Sequence, residues 1–217
     1  MNIEQARFNM IEQQIRPWDV LDAGVLSLLA IVRREDFMPA AYKTLAFVDA
    51  EVPLGHGQFM LAPRLEARLL QEAQVQRHER VLEIGAGSGF MAALLAHRAQ
   101  SVISLERVPE LAAMAAAHLR HAGVLNASVR EMDGARGLPG DGPFDVIMLS
   151  GSVPEVPQVL LDQLKTGGRL LAVVGHEPMM RAVRFTRQSD TVLLTEELFD
   201  TVAPRLTGFA EPTRFAF

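Results

Sequence analysis

Ten residues constrain this chain more than any others: Val81-Leu82-Glu83-Ile84-Gly85-Ala86-Gly87-Ser88-Gly89-Phe90. An apolar, strand-forming run ends in three glycines at alternate positions, and a helix-forming run, 91–97, follows without a gap. Strand, tight glycine turn and helix in that order bring backbone N–H groups at a helix N-terminus against a nucleotide-like ligand. The spacing is not that of a dinucleotide loop, however. The fingerprint G-x-G-x-x-G requires glycine at position 90, where this chain has Phe90.

Around this stretch the sequence alternates between strand and helix patterns. Strands are expected at 81–84, 101–105, 127–131, 144–149 and 169–174, with helices at 91–97, 109–122 and 156–164 and a turn at Gly167-Gly168. Such βαβ alternation implies an α/β fold: a doubly wound, mostly parallel, Rossmann-like sheet with helices on both faces. The segments 182–187, 191–198 and 209–217 read as antiparallel additions to it. Before residue 76 the pattern is helical. A helix at 2–16 stops at Pro17, Asp22 caps one at 23–33, a short one spans 40–47, and Pro63 opens one at 63–73. Pro53, Gly55 and Gly57 make 48–58 a loop. The expectation is one domain, 1–217, with an N-terminal helical cap and substrate loop at 1–75 and a cofactor-binding core at 76–217.

Composition removes several function classes. A formal charge of −5 argues against an electrostatic grip on nucleic acid or an anionic membrane. The absence of cysteine excludes disulfides, thiolate metal sites and cysteine nucleophiles. Residues 1–17 carry amides and acids without the apolar stretch of a secretory signal, and no apolar run reaches the ~18 residues of a membrane span. A soluble, cytoplasmic protein, monomeric or weakly self-associating, is expected.

Ligands of doubly wound sheets bind at the carboxyl ends of the strands. Gly85, Gly87 and Gly89, with Ala86 and Ser88 between them, allow close backbone approach. Glu106, 21 residues after Gly85, sits where an acid grips a ribose diol, with Arg107 beside it. Asp133, followed by Gly134, is placed to accept a bond from an adenine amino group. Glu83 is suited to orienting the loop or a cationic ligand's ammonium. The pattern E-x-G-x-G-x-G resembles the first motif of S-adenosylmethionine-dependent methyltransferases, and several carboxylates around one pocket suit a sulfonium cation better than a pyrophosphate.

Further stretches resemble the protein-L-isoaspartate O-methyltransferase family over nearly the whole chain. They include Met10-Ile-Glu-Gln-Gln-Ile-Arg16, Arg34-Glu-Asp-Phe-Met-Pro39, Val52-Pro-Leu-Gly-His-Gly-Gln58, Ser104-Leu-Glu-Arg107 and Leu164-Lys-Thr-Gly-Gly-Arg-Leu170. The resemblance implies methyl transfer from S-adenosyl-L-methionine to the carboxylate of isoaspartyl residues in damaged proteins, a repair reaction. It also implies acceptor-side roles for Asp49, Gln58 and position 61. At that last position the chain departs from its family. Where the family has hydroxyl residues followed by small-Pro, this chain reads Phe59-Met60-Leu61-Ala62-Pro63, so Leu61 stands at the family serine. Two other readings stay open for that reason: a methyltransferase for a more apolar acceptor, and a cofactor-binding protein without turnover.

Other candidates are weaker. His56 is the first choice as a base, which a carboxylate acceptor does not need, and Arg64 is either a carboxylate ligand or a solvated helix-start arginine. His118 and His121 lack a third ligand, so no metal is expected. Ser152 lacks a nucleophile elbow, and Trp18 alone makes no base-stacking platform.

Overall fold

The computed structural model describes residues 2–211. Its elements, in chain order, are α1 (Ile3–Met10), α2 (Ala23–Ile31), β1 (Val52–Gly55), β2 (Gln58–Met60), α3 (Pro63–Ala73), β3 (Arg80–Ile84), α4 (Phe90–Ala96) and β4 (Ser101–Glu106). There follow α5 (Pro109–His121), β5 (Ala127–Glu131), β6 (Phe144–Val153), α6 (Gln158–Leu161), β7 (Leu164–His176), β8 (Met179–Arg187) and β9 (Leu193–Thr201). The described residues build a seven-stranded sheet of order β5-β4-β3-β6-β7-β8-β9. The strands from β5 to β7 run parallel, and β8 and β9 are added antiparallel. The doubly wound sheet and its antiparallel additions are therefore as the alternation implied.

Period-two alternation along the central strands feeds two cores. Val81, Val146, Met148, Leu171 and Val173 face one side, in a cluster that also takes Ile15, Leu29, Leu69, Leu94 and Leu119 from the helical segments. Leu82, Ile84, Ile147, Leu149 and Leu170 face the other, with Leu160 and Leu161 of α6 and partly buried Leu206 and Phe209. One face is thus thickly covered by helices, including the whole N-terminal region, and the other thinly. The caps were legible: Asp22 accepts from the Val25 N–H at 2.7 Å, and Pro63 and Pro109 open α3 and α5. On the outer hairpin, Arg181 pairs with Glu197 and Asp200, and Arg184 with Glu196.

Five expectations need correction. The helix of 2–16 keeps α-geometry only to Met10, widens to a π turn over Ile11–Ile15 and tightens into a 3-10 turn at Arg16–Trp18 before Asp19 turns left-handed. The loop at 48–58 is largely a β-hairpin, β1 against β2, turned by Gly55, His56 and Gly57, all with positive φ. Its proline misleads because Pro53 sits in an isolated two-stranded sheet, where the lost N–H disturbs no central ladder. The helix at 156–164 shortens to α6, since Leu164 is already paired with Phe144 in the sheet. Gly167-Gly168 is not a turn between elements but a bulge inside β7, since the next pair after Phe144–Leu164 is Val146–Arg169. Of the segment 209–217, residues 209–211 are not strand and 212–217 lie outside the described residues. No helix among the described residues is long and apolar enough to cross a membrane.

Candidate cofactor cleft and acceptor loop

The glycine turn is held from beneath by the neighbouring strand. The N–H groups of Gly85 and Ala86 both donate to the Leu105 carbonyl, at 2.9 and 3.1 Å. The Gly87 N–H donates to one Glu106 oxygen at 2.9 Å, and the Val108 N–H donates to the other at 3.0 Å. Gly85, Gly87 and Gly89 have φ of 91, 51 and 84°, values that favour glycine. Beyond Gly87 the turn faces inward. The Ser88 hydroxyl accepts from the Phe90 N–H, its carbonyl pairs with His118 Nδ1 at 2.8 Å, and a Cβ on Gly89 would lie 3.0 Å from the Ala115 carbonyl. Ser88 and Gly89 therefore join the turn to α4 and α5.

Glu83 is fully buried one layer below the turn. Ser104 on β4 and Ser150 on β6 donate their hydroxyls to its two oxygens, the second at 2.7 Å. Burial pushes its pKa up to about 8, against the two hydroxyls and with the help of Glu106 and Glu66. The carboxyl is therefore largely neutral at pH 7.

Gln58, Ile84, Gly85, Leu105, Glu106, Arg107, Met132 and Gly134 line one cleft at the carboxyl edge of the sheet. Asp133 stands at its margin, accepting from the Ala135 N–H at 3.0 Å. The cleft thus brings together Gln58 and four of the ten expected cofactor residues, Gly85, Glu106, Arg107 and Gly134. Their chemistry fits S-adenosylmethionine: glycine backbone, a strand-end carboxylate, a second acid beside an apolar wall, and a buried carboxyl beneath. The chain's own Leu206, Thr207 and Phe209 complete the lining of this cleft.

Asp49 and Leu61 are not among the residues lining the cleft. Asp49 pairs with Arg64 at 3.0 Å, and the Arg64 guanidinium lies 4.1 Å over the Trp18 ring. Arg64 is thus neither simply solvated nor aimed at the cleft. Leu61 and Met60 are core residues, whereas Phe59 between them is 41% exposed. The backbone at Leu61 is fixed by buried Arg34, which donates to the Leu61 carbonyl at 2.7 Å, pairs with buried Glu66 and lies 5.2 Å over the Phe90 ring. Burial lifts Glu66 to a pKa of about 7, Arg34 pulling the other way. His56 stands at the exposed hairpin turn, 3.9 Å from Glu110.

Sequence reasoning missed Ser104, Ser150, Arg34, Glu66 and the segment 203–211. Ser104 had a usable signal: in parallel register it is paired with Glu83. Arg34 and Glu66 are 32 positions apart, and only tertiary packing joins them.

An open-edged sheet of this order, with a glycine turn after β3 and acids after β4 and β5, defines a nucleotide-cofactor methyltransferase of the α/β class. Among solved structures, the fold matches a putative protein-L-isoaspartate O-methyltransferase from Plasmodium falciparum, solved with S-adenosyl-L-homocysteine, at TM-score 0.78 and 20% identity over 95% of this chain and 99% of that one. Residues 5–203 match the family described as protein-L-isoaspartate(D-aspartate) O-methyltransferase, and the chain belongs to that family. A protein-L-isoaspartate O-methyltransferase 1 of Rhodopseudomonas palustris (strain HaA2) is 43% identical over 93% of this chain and 83% of its own length. One from Methanoculleus marisnigri is 39% identical over 86% and 84%. The protein is accordingly an S-adenosylmethionine-dependent methyltransferase.

Proposed function

We propose that the chain methylates the free carboxylate of isoaspartyl residues in proteins and peptides, with the acceptor reaching the cofactor edge along the β1–β2 hairpin. One observation carries this reading: the hairpin delivers Gln58 into the same cleft as Gly85 and Glu106, so the acceptor loop and the cofactor loop share one space. Leu54 of the same hairpin faces Gly87, 3.2 Å from where a Cβ would stand.

When bound, S-adenosylmethionine supplies an electrophilic methyl group, which the carboxylate oxygen takes as the carbon–sulfur bond breaks, leaving an ester and a neutral sulfide. The chain's residues position and enclose. Glu106 is set to accept from a ribose diol and Asp133 from an adenine amino group. Gln58, at the hairpin's inner end, is set to hold the acceptor, and Asp49 braces the loop through Arg64. A carboxylate with a pKa near 4 is already ionised at pH 7 and needs no base, so His56 has no required part. Loss of the two family hydroxyls at Phe59 and Leu61 removes positioning groups rather than a reacting group, a loss of about one to two decades in rate.

Labelled S-adenosylmethionine and an isoaspartyl peptide should give a base-labile methyl ester, and the matching aspartyl peptide none. Labelling of neither, with cofactor still bound, would sink the reading. A second reading, a more apolar acceptor, is favoured by exposed Phe59 next to Gln58. It predicts faster methylation of apolar carboxylates than of the isoaspartyl peptide. Cytoplasmic residence, a monomeric or weakly associating state and independence of nucleic acid belong to the same proposal, the last supported by the charge of −5.

A further inference from the structure

The amino edge of the sheet, at the far end of the strands from the cofactor cleft, carries a groove whose charge is opposite to that of the chain. Two hollows of about 630 and 320 Å³ meet there, with Ile31 and His97 as their common wall. The first lies between α2, the turn before β3 and the end of α4. The second lies between the end of α2, the turn after it and the ends of α4 and α5. The five residues of β3, about 16 Å of strand, separate this groove from the glycine turn.

Six basic side chains line the groove, Arg33, Arg77, His78, His97, Arg98 and His121, against a single carboxylate, Asp36. The whole chain has 26 acids to 21 lysines and arginines, so this edge departs from the composition. The acids nearby are already engaged. Asp36 meets Arg33 at 3.6 Å, Asp22 meets Arg98 at 3.5 Å, and Asp145, which His78 faces, is paired with Lys165 at 2.8 Å. Arg77, His97 and His121 are exposed and enter no salt bridge among the described residues. Helix ends account for part of this charge: cations suit helix C-termini, and His97 and His121 close α4 and α5. They do not account for Arg77 and His78, which lie beyond the Gln74 cap of α3 on the turn ahead of β3. Between the charges the floor is aliphatic, Leu28, Ile31, Val75 and Val124, with Ile31 68% exposed.

We propose that this groove is a docking site for an acid-rich, partly aliphatic segment of another protein, a second grip on a protein substrate whose acceptor residue is at the opposite edge. The basic groups come from four separate places in the chain and are spread along the groove rather than turned on one point. That layout suits a line of carboxylates with aliphatic side chains between them, not one phosphate. A single-stranded nucleic acid would want an open ring to stack on, and Phe37, the one ring in the lining besides the histidines, is buried. Exposed charges of this kind act mostly on the rate of encounter and are weakened by salt. The grip is therefore quickly made, quickly released and tolerant of sequence, as a protein that meets many substrates requires.

The inference rests on the acceptor proposed above only in taking a protein as the occupant, and its test reads binding apart from methyl transfer. A fluorescein-labelled peptide, Glu-Glu-Leu-Glu-Glu-Leu-Glu-Glu, which has no aspartyl or isoaspartyl residue, is titrated with the full chain at low salt and followed by anisotropy. The double variant Arg77→Glu/His78→Glu reverses charge at two exposed positions outside any helix or strand, and should weaken binding about tenfold. Arg77→Lys should keep it, and Ile31→Ser should weaken it about threefold. A short isoaspartyl peptide should be methylated equally by wild type and the double variant, while the KM for an isoaspartyl protein with an acid-rich tail should rise in the variant. Absence of binding to wild type, equal binding to the double variant, or displacement of the label by oligo-dT of equal charge at a lower concentration than by the unlabelled peptide overturns the proposal. Failure to methylate any isoaspartyl substrate, with peptide binding and its loss in the double variant intact, removes the acceptor reading and leaves the groove standing.

Discussion

Glu66 and Glu83 are both fully buried, on the same side of the sheet, yet their charges are satisfied by opposite means. Glu66, on α3, has a full cation against it: Arg34, whose remaining reach goes to the Leu61 carbonyl. Glu83, on β3, has only the dipoles of Ser104 and Ser150. The acceptor side is therefore electrostatically closed, with charge and counter-charge fixed in one strut that sets the loop. The cofactor edge is electrostatically open. Its buried carboxyl stays neutral until something cationic makes ionisation worthwhile, and a sulfonium or its ammonium is such a group.

The largest test of this contrast is removal of Arg34. Arg34→Met leaves Glu66 buried without a cation and should destabilise the fold by about 3–5 kcal/mol in urea unfolding. Adding Glu66→Leu should recover most of that; a double variant as unstable as the single one would break the strut interpretation. Next comes the loop it holds. Leu61→Ser should lose about 2–4 kcal/mol, because Leu61 packs in the core, whereas exposed Phe59→Thr should stay within about 0.5 kcal/mol and change only the KM for peptide. Restoring the family serine at 61 is thus a stability experiment before it is a catalytic one.

Glu83 makes a subtler prediction. Its folded pKa of about 8 lies above the ordinary 4.5 of a glutamate, so the folded protein keeps this proton to higher pH than the unfolded chain. Its contribution to stability is full below about pH 4.5 and is lost as pH rises through 8. Glu83→Gln should flatten the fall in thermal stability between about pH 4.5 and 8. Binding of the cationic cofactor near pH 7 should release a proton, visible as an enthalpy that varies with buffer, and the same substitution should abolish that dependence. A small effect is expected of Arg64→Ala as well. The Arg64–Asp49 pair is partly exposed, so stability should fall by about 1 kcal/mol or less, and less still in high salt.

The parallel sheet and the cofactor edge were legible because their signals are local. Val81 to Ile84 alternates between two faces, the glycines sit where φ must be positive, and Glu106 and Asp133 end strands. The hairpin was not, because Pro53 and Gly55 break a central strand but are tolerated in an isolated pair. The strut of Arg34 and Glu66 depends on α3 packing beside the turn after α2, which no spacing encodes. The return of the segment after β9 to the sheet edge was invisible for a similar reason. Leu206, Gly208 and Phe209 form no motif, and only the fold carries them back to Gly85 and Asp133.

The ion pairs of the outer hairpin bear on how copies of this protein treat one another. β9 ends the sheet with a nine-residue strand, and an open strand edge is a template for another chain. Here the ladder next to it is written in charge: Arg181 between Glu197 and Asp200, Arg184 against Glu196. A second copy docking edge to edge would have to bury those groups or set like charges against like, which disfavours continuation of the sheet beyond β9.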